Sequence, residues 1–139
     1  MEKPPQAVSS LKPVVLVGHC GPDMHLLKSV VGRALPGVKI SVANDAGSLE
    51  PHLSAGALLL VNRVLAGDFG TDSGVELIGQ IHARKTPATA MLISNHDDAQ
   101  AEAIGFGALP GFGKSQLYSD QTLRRLREAT AEIVQQSGR

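Results

Sequence analysis

The sequence predicts an α/β fold in which a single five-stranded parallel sheet is doubly wound, with helices on both faces. Two observations predict it. Short apolar runs alternate five times with segments whose apolar residues recur at helical spacing. The strongest of these runs also lack the polar alternation of a half-exposed strand, so both their faces must be covered, as in a parallel sheet. At 139 residues the chain can bury a connected core without a disulfide or metal staple.

The elements follow in order. Residues 1–11 are polar and contain proline, which suits a short flexible lead-in to a domain spanning 12–136, with 137–139 as a tail. Val14 to Val17 is a β-branched run closed by Gly18, the first strand. After Gly21-Pro22-Asp23, residues Met24, Leu27, Val30, Val31, Ala34 and Leu35 mark a helix that Pro36-Gly37 stops. Asp23 caps that helix or sits in its first turn, where the helix dipole favours an acid. Lys39 to Ala43 is a second strand, Ser48 to Ser54 a short helix broken near Pro51, and Ala57 to Val61 a third strand. A polar loop from Ala66 to Gly74 leads into a helix that turns Val75, Ile78 and Ile81 inward. Pro87 to Ile93 forms the fourth strand, and Asp97 to Phe106 a helix with Ala99, Ala103 and Ile104 inward. Leu109 to Phe112 is a weak fifth strand, interrupted by Pro110 and Gly111. Thr122 to Gln136 is the final helix: Leu123, Leu126, Thr130, Ile133 and Val134 form its stripe, and Arg124, Arg125 and Arg127 lie largely outside.

Composition excludes several classes of function. Thirteen Lys and Arg balance 13 Asp and Glu, and phosphate binding over a whole domain needs a basic excess, so no nucleic-acid partner is expected. Aromatics are 3% of the chain, only Phe69, Phe106, Phe112 and Tyr118, too few for base-stacking platforms. No apolar run approaches the roughly 20 residues that span a bilayer, and the first residues lack the apolar core of a leader peptide. The lone Cys20 has no partner for an internal disulfide, which fits a reducing cytoplasm.

In doubly wound folds ligands sit at the carboxyl ends of the strands, here the loops after Val17, Val61, Ile93 and Phe112. Residues 12–27, 58–78, 91–98 and 105–115 carry a resemblance there. The chain resembles the receiver domain of two-component response regulators from Lys12 to about Val134. That resemblance implies a flavodoxin-like (βα)5 domain with strand order 2-1-3-4-5. It also implies a site in which three acids hold a divalent cation while an aspartate takes a phosphoryl group.

Carried over position by position, most of that apparatus is replaced. His19 and Cys20 stand where receivers have an acid pair, and Asn62 stands at the phosphoacceptor position. An amide cannot form an acyl phosphate, and His and Cys are softer ligands than Mg²⁺ prefers. Ser94 and Lys114 keep the family's hydroxyl and lysine positions. Gly111 replaces the aromatic switch residue, and Ser115 the proline that follows the lysine. Lys114 is expected to bond the Asn62 side-chain oxygen.

Three shorter motifs are weaker. Gly113-Lys114-Ser115 matches the tail of a phosphate-binding loop, but Ala108 stands where that loop needs glycine. Asp23-Met24-His25 resembles the Asp-x-His of cobalamin-binding domains, yet Lys28 stands where a glycine follows, so a histidine in the first turn of a helix is expected. His19 and Cys20, with Asn62 or His96, would form a metal or redox site if a turn brought both inward. Otherwise they are a small buried cysteine beside a surface histidine.

The expectation is therefore a stand-alone, non-enzymatic receiver-like module of the two-component or phosphorelay type, without bound Mg²⁺ or another cofactor. It would act by contact with a protein, either a histidine kinase, another signalling protein or a second copy of the chain. Arg124, Arg125 and Arg127 on the last helix are the candidate contact face. The alternative is a domain that senses a metal, an anion or an oxidant through the pocket around His19 and Cys20.

Overall fold

A computed structural model describes residues 11–131, and its elements alternate strand and helix throughout. They are β1 (Val14–Val17), α1 (Gly21–Ala34), β2 (Ile40–Ala43), α2 (Ala46–Ser54), β3 (Leu58–Asn62) and α3 (Gly74–Ala83). β4 (Thr89–Ile93), α4 (Asp97–Gly105), β5 (Leu109–Phe112), a 3-10 turn (Lys114–Gln116) and α5 (Asp120–Thr130) complete the order. The strands form one parallel sheet in the order β2-β1-β3-β4-β5. Val14 pairs with both Ile40 and Leu58, and Val17 with both Ala43 and Val61.

Side chains leave a strand on alternate faces, so each central strand feeds two cores. Val15, Val17, Leu59, Val61 and Leu92 meet Leu49, Leu53, Val75, Ile78, Ile81 and Ala103 from α2, α3 and α4. Val14, Leu16, Leu58, Leu60, Met91 and Ile93 meet Leu27, Val30 and Val31 of α1 and Leu126 of α5. Removing one of these side chains from water contributes about 1.5–3 kcal/mol. Burial on both sides accounts for the unbroken apolar runs of β1 and β3.

Several boundaries differ from those read in the sequence. α2 begins at Ala46 and runs through Pro51 without a break. Asp45 is the reason: its carboxylate accepts from Ser48 N at 2.8 Å, and the Ser48 hydroxyl reaches back to Asp45 N at 3.4 Å, a capping box. Pro51 forfeits one intrahelical bond, while buried Leu49 and Leu53 pin the helix on either side of it. In α4, Ile104 faces out and is 46% exposed. Ala103 points inward, and the half-buried Ala99 and Gln100 share its side of the helix.

α5 starts earlier than expected, where the Ser119 hydroxyl accepts from Thr122 N at 3.2 Å, and it ends at Thr130, with Ala131 already extended. Ile133 and Val134 lie outside the described residues, as do the proposed tail and residues 1–10 of the lead-in. Leu11 itself packs against the α1/α5 core, and Lys12 N bonds Thr130 O at 3.1 Å.

The β3–α3 loop is stitched to its neighbours by main-chain bonds. Ala66 N donates to Gly18 O at 2.9 Å, Asp68 N to Asn44 O at 3.0 Å, and Leu65 N to Asp72 O at 2.9 Å. Ala46 N returns a bond to Asp68 O at 3.0 Å.

Candidate functional site

β1 and β3 are neighbours whose following helices cross to opposite faces, so a crevice opens at their carboxyl ends. Gly18 shapes its floor. It has φ +73°, and a Cβ there would lie 2.6 Å from Leu65 Cδ2, so only glycine fits the turn. The turn sends His19 inward and Cys20 outward. His19 is 3% exposed, while Cys20 is exposed and occupies the N-cap of α1 with no capping bond from its side chain. The sequence reading of a buried cysteine beside a surface histidine is thus inverted. The two side chains leave the turn toward opposite environments.

His19 Nε2 lies 2.8 Å from Leu60 O, which accepts, so Nε2 carries the proton. The buried Nδ1 has no hydrogen-bond partner among the described residues. Burial lowers the imidazole pKa to about 4, the nearby Lys114 ammonium adds to that, and the Leu60 bond opposes it. At neutral pH the ring is uncharged.

Asn62 ends β3 half-buried. Its amide nitrogen donates to Gly18 O at 3.1 Å and to Val64 O at 2.8 Å, which leaves Oδ1 facing Lys114 Nζ at 3.5 Å. That last distance is the outer limit of a hydrogen bond, so the expected Lys114–Asn62 contact is the lesser one. Lys114 Nζ instead meets Asp23 Oδ2 at 2.5 Å. The ammonium holds the Asp23 carboxyl below its usual range, and this bond is the largest cause of the shift.

Asp23 is the site residue that sequence reasoning missed. Of the two places the sequence allows it, cap or first turn, it takes the first turn of α1, and its partner lies 91 positions away. The available signal was topological: the first turn of a crossover helix starts at the strand ends.

Ser94 is buried, and its hydroxyl accepts from His96 N at 3.0 Å, closing its own turn. Gly111 has no room for a side chain, since a Cβ would stand 2.1 Å from Leu92 O. Gln100 brackets the strand pair here. Its Nε2 donates to Leu92 O at 2.9 Å and Ser94 O at 3.1 Å, and its Oε1 accepts from Gly111 N at 3.3 Å. The position where the resemblance would put an aromatic side chain is therefore closed to any side chain. The three arginines do not share a face. Arg125 donates to Gly111 O, Arg127 Nε donates to Ala34 O at 3.1 Å, and Arg124 is exposed.

Asn62, Ser94, His96 and Lys114 line an open depression of about 260 Å³. Its donor set does not fit Mg²⁺, which requires several hard oxygen ligands. Asp23 is occupied by an ammonium group, Asn62 turns its N–H₂ toward carbonyls, and His19 is buried against Leu60. Among the described residues no three His, Cys, Asp or Glu side chains are grouped to hold a metal ion. Nor is any described helix long and apolar enough to cross a membrane.

No family model matches the chain, and no curated protein sequence does. Solved structures do. The signal receiver domain of a DNA-binding response regulator from Colwellia psychrerythraea 34H superposes with a TM-score of 0.65 at 17% identity, covering 84% of this chain and 96% of that one. The receiver domain of the putative response regulator NarL from Mycobacterium tuberculosis gives 0.55 at 22% identity, covering 94% and 98%. A response regulator from Burkholderia pseudomallei, solved with a phosphorylated aspartic acid, a calcium ion and citrate, gives 0.55 at 18% identity, covering 91% and 72%. At these identities the likeness establishes a shared fold, that of the CheY-like receiver domain.

Proposed function

We propose that this receiver-fold chain is a signalling module that works by contact with a partner protein and takes no phosphoryl group on aspartate. The observation that carries the reading is the Asn62 amide. At the position where the resemblance puts the phosphoacceptor, it donates to the carbonyls of Gly18 and Val64. A carboxylate has no proton to offer either carbonyl. Lys114, the residue that would steady a phosphorylated aspartate, is already paired with Asp23. The bracket of Gln100 around Gly111 removes the aromatic relay on the same side of the site. On this reading the chain performs no catalytic step, holds no resident Mg²⁺, and meets a histidine kinase or another signalling protein through its surface. Incubation with acetyl phosphate and Mg²⁺ followed by intact-mass measurement tests it. No added phosphoryl group is expected, and stable incorporation at any residue of the pocket would overturn it.

A further inference from the structure

α3 and α4 lie side by side on one face of the sheet, and a groove of about 790 Å³ runs between them. Gly79 shapes it. A Cβ there would come within 3.1 Å of Phe106 Cδ1, so the ring rests directly against the backbone of α3. Ala83 and Ala99 continue the floor, and Val64 and Phe106 remain 54% and 46% exposed along it. The rim carries three carboxylates, Asp72, Glu76 and Glu102, against one guanidinium, Arg63. Among the described residues none of these four is in an ion pair.

We infer that this groove receives an amphipathic helical segment of a partner protein, with apolar side chains about one turn apart and Lys or Arg on either flank. The inference rests on the reading of the chain as a contact module and names the surface and the partner's chemistry. The groove is lined by α3, α4 and the β3–α3 loop, which present side chains and no free strand edge, and this favours a helix laid in a groove over an added strand. α3 is ten residues long, about 15 Å, which matches two to three turns of a partner helix. The acidic rim selects a basic segment. It also disfavours the other occupants: a two-fold pairing of this face would set its carboxylates against themselves, and nucleic acid would bring phosphates to them.

The test is a selection of displayed peptides of about 16 residues on the intact chain. The strongest clone is then titrated by fluorescence anisotropy against the wild type, Val64→Lys and the double variant Asp72→Lys with Glu102→Lys. All three substituted side chains are exposed, and circular dichroism verifies that each variant stays folded. Glu76 is left in place because it accepts a bond from the Thr71 hydroxyl. Selected peptides should be basic with apolar residues at i and i+3 or i+4, and both variants should weaken binding by about tenfold or more, as added salt should. Failure to select any binder, acidic clones, or variant affinities within about twofold of wild type would overturn the groove while leaving phosphate-independent contact intact. Phosphoryl incorporation in the separate acetyl phosphate assay would remove that broader reading without moving the groove.

Discussion

His19 is kept neutral by burial, and this links the protein's stability to pH. Its folded pKa of about 4 lies below the ordinary 6.5, so the unfolded chain binds the proton first. Stability is complete above about pH 6.5 and falls as the pH drops toward 4, by up to about 3 kcal/mol. Asp23 acts lower on the scale: its pKa is depressed, so its contribution is lost only as the pH falls through the acidic side of the usual carboxylate range. Urea unfolding at stepped pH should show the His19 slope, and His19→Gln, which keeps an N–H for Leu60 O, should flatten it. A wild-type midpoint constant across this window would contradict the assignment. At Asn62 the expected result is equally specific. Asn62→Asp sets a carboxylate oxygen against the carbonyls of Gly18 and Val64 and should cost about 1–3 kcal/mol. The variant should still take up no phosphoryl group from acetyl phosphate.

Among the elements, β5 depends most on a single side chain from elsewhere. Gln100→Leu preserves the approximate bulk while leaving Leu92 O, Ser94 O and Gly111 N short of partners. It should destabilise the fold by about 2–3 kcal/mol and speed amide exchange at Gly111. Unchanged exchange there would show that the bracket is dispensable. The example also marks what could be read from the chain. β1 and β3 were legible because burial on both faces leaves a continuous apolar run. Gln100 was not, because a polar residue gives no sign that it will bond main chain on two strands. The starts of α2 and α5 were misjudged for a related reason, since Asp45 and Ser119 set them by local capping. At the strand ends, Asn62, Ser94 and Lys114 were legible as neighbours and do line one depression, whereas the Gly18 turn, which decided that His19 went inside and Cys20 outside, was not.

At the scale of the whole molecule, the chain has the receiver fold, and the groups at its strand ends are an amide, an ammonium–carboxylate pair and a buried imidazole. A ligand that binds only the native state raises its stability. Millimolar Mg²⁺ should therefore leave the Tm where it is, and a concentration-dependent rise would show a cation site that the donor set argues against. The main-chain stitching of the β3–α3 loop matters for the groove beside it. Arg63, Val64, Asp72 and Ser73 of that loop line the groove, and their backbone is fixed before any partner arrives: Gly74 N donates to Arg63 O at 2.8 Å, Leu65 N to Asp72 O at 2.9 Å, and Val64 pairs with Ser73 in an antiparallel bridge. Ordering a loose loop on binding commonly consumes part of the association free energy. Here that part of the groove is preorganised, so the backbone ordering on docking falls mainly on the incoming segment, and a partner that is already helical should bind more tightly than one that must fold on contact.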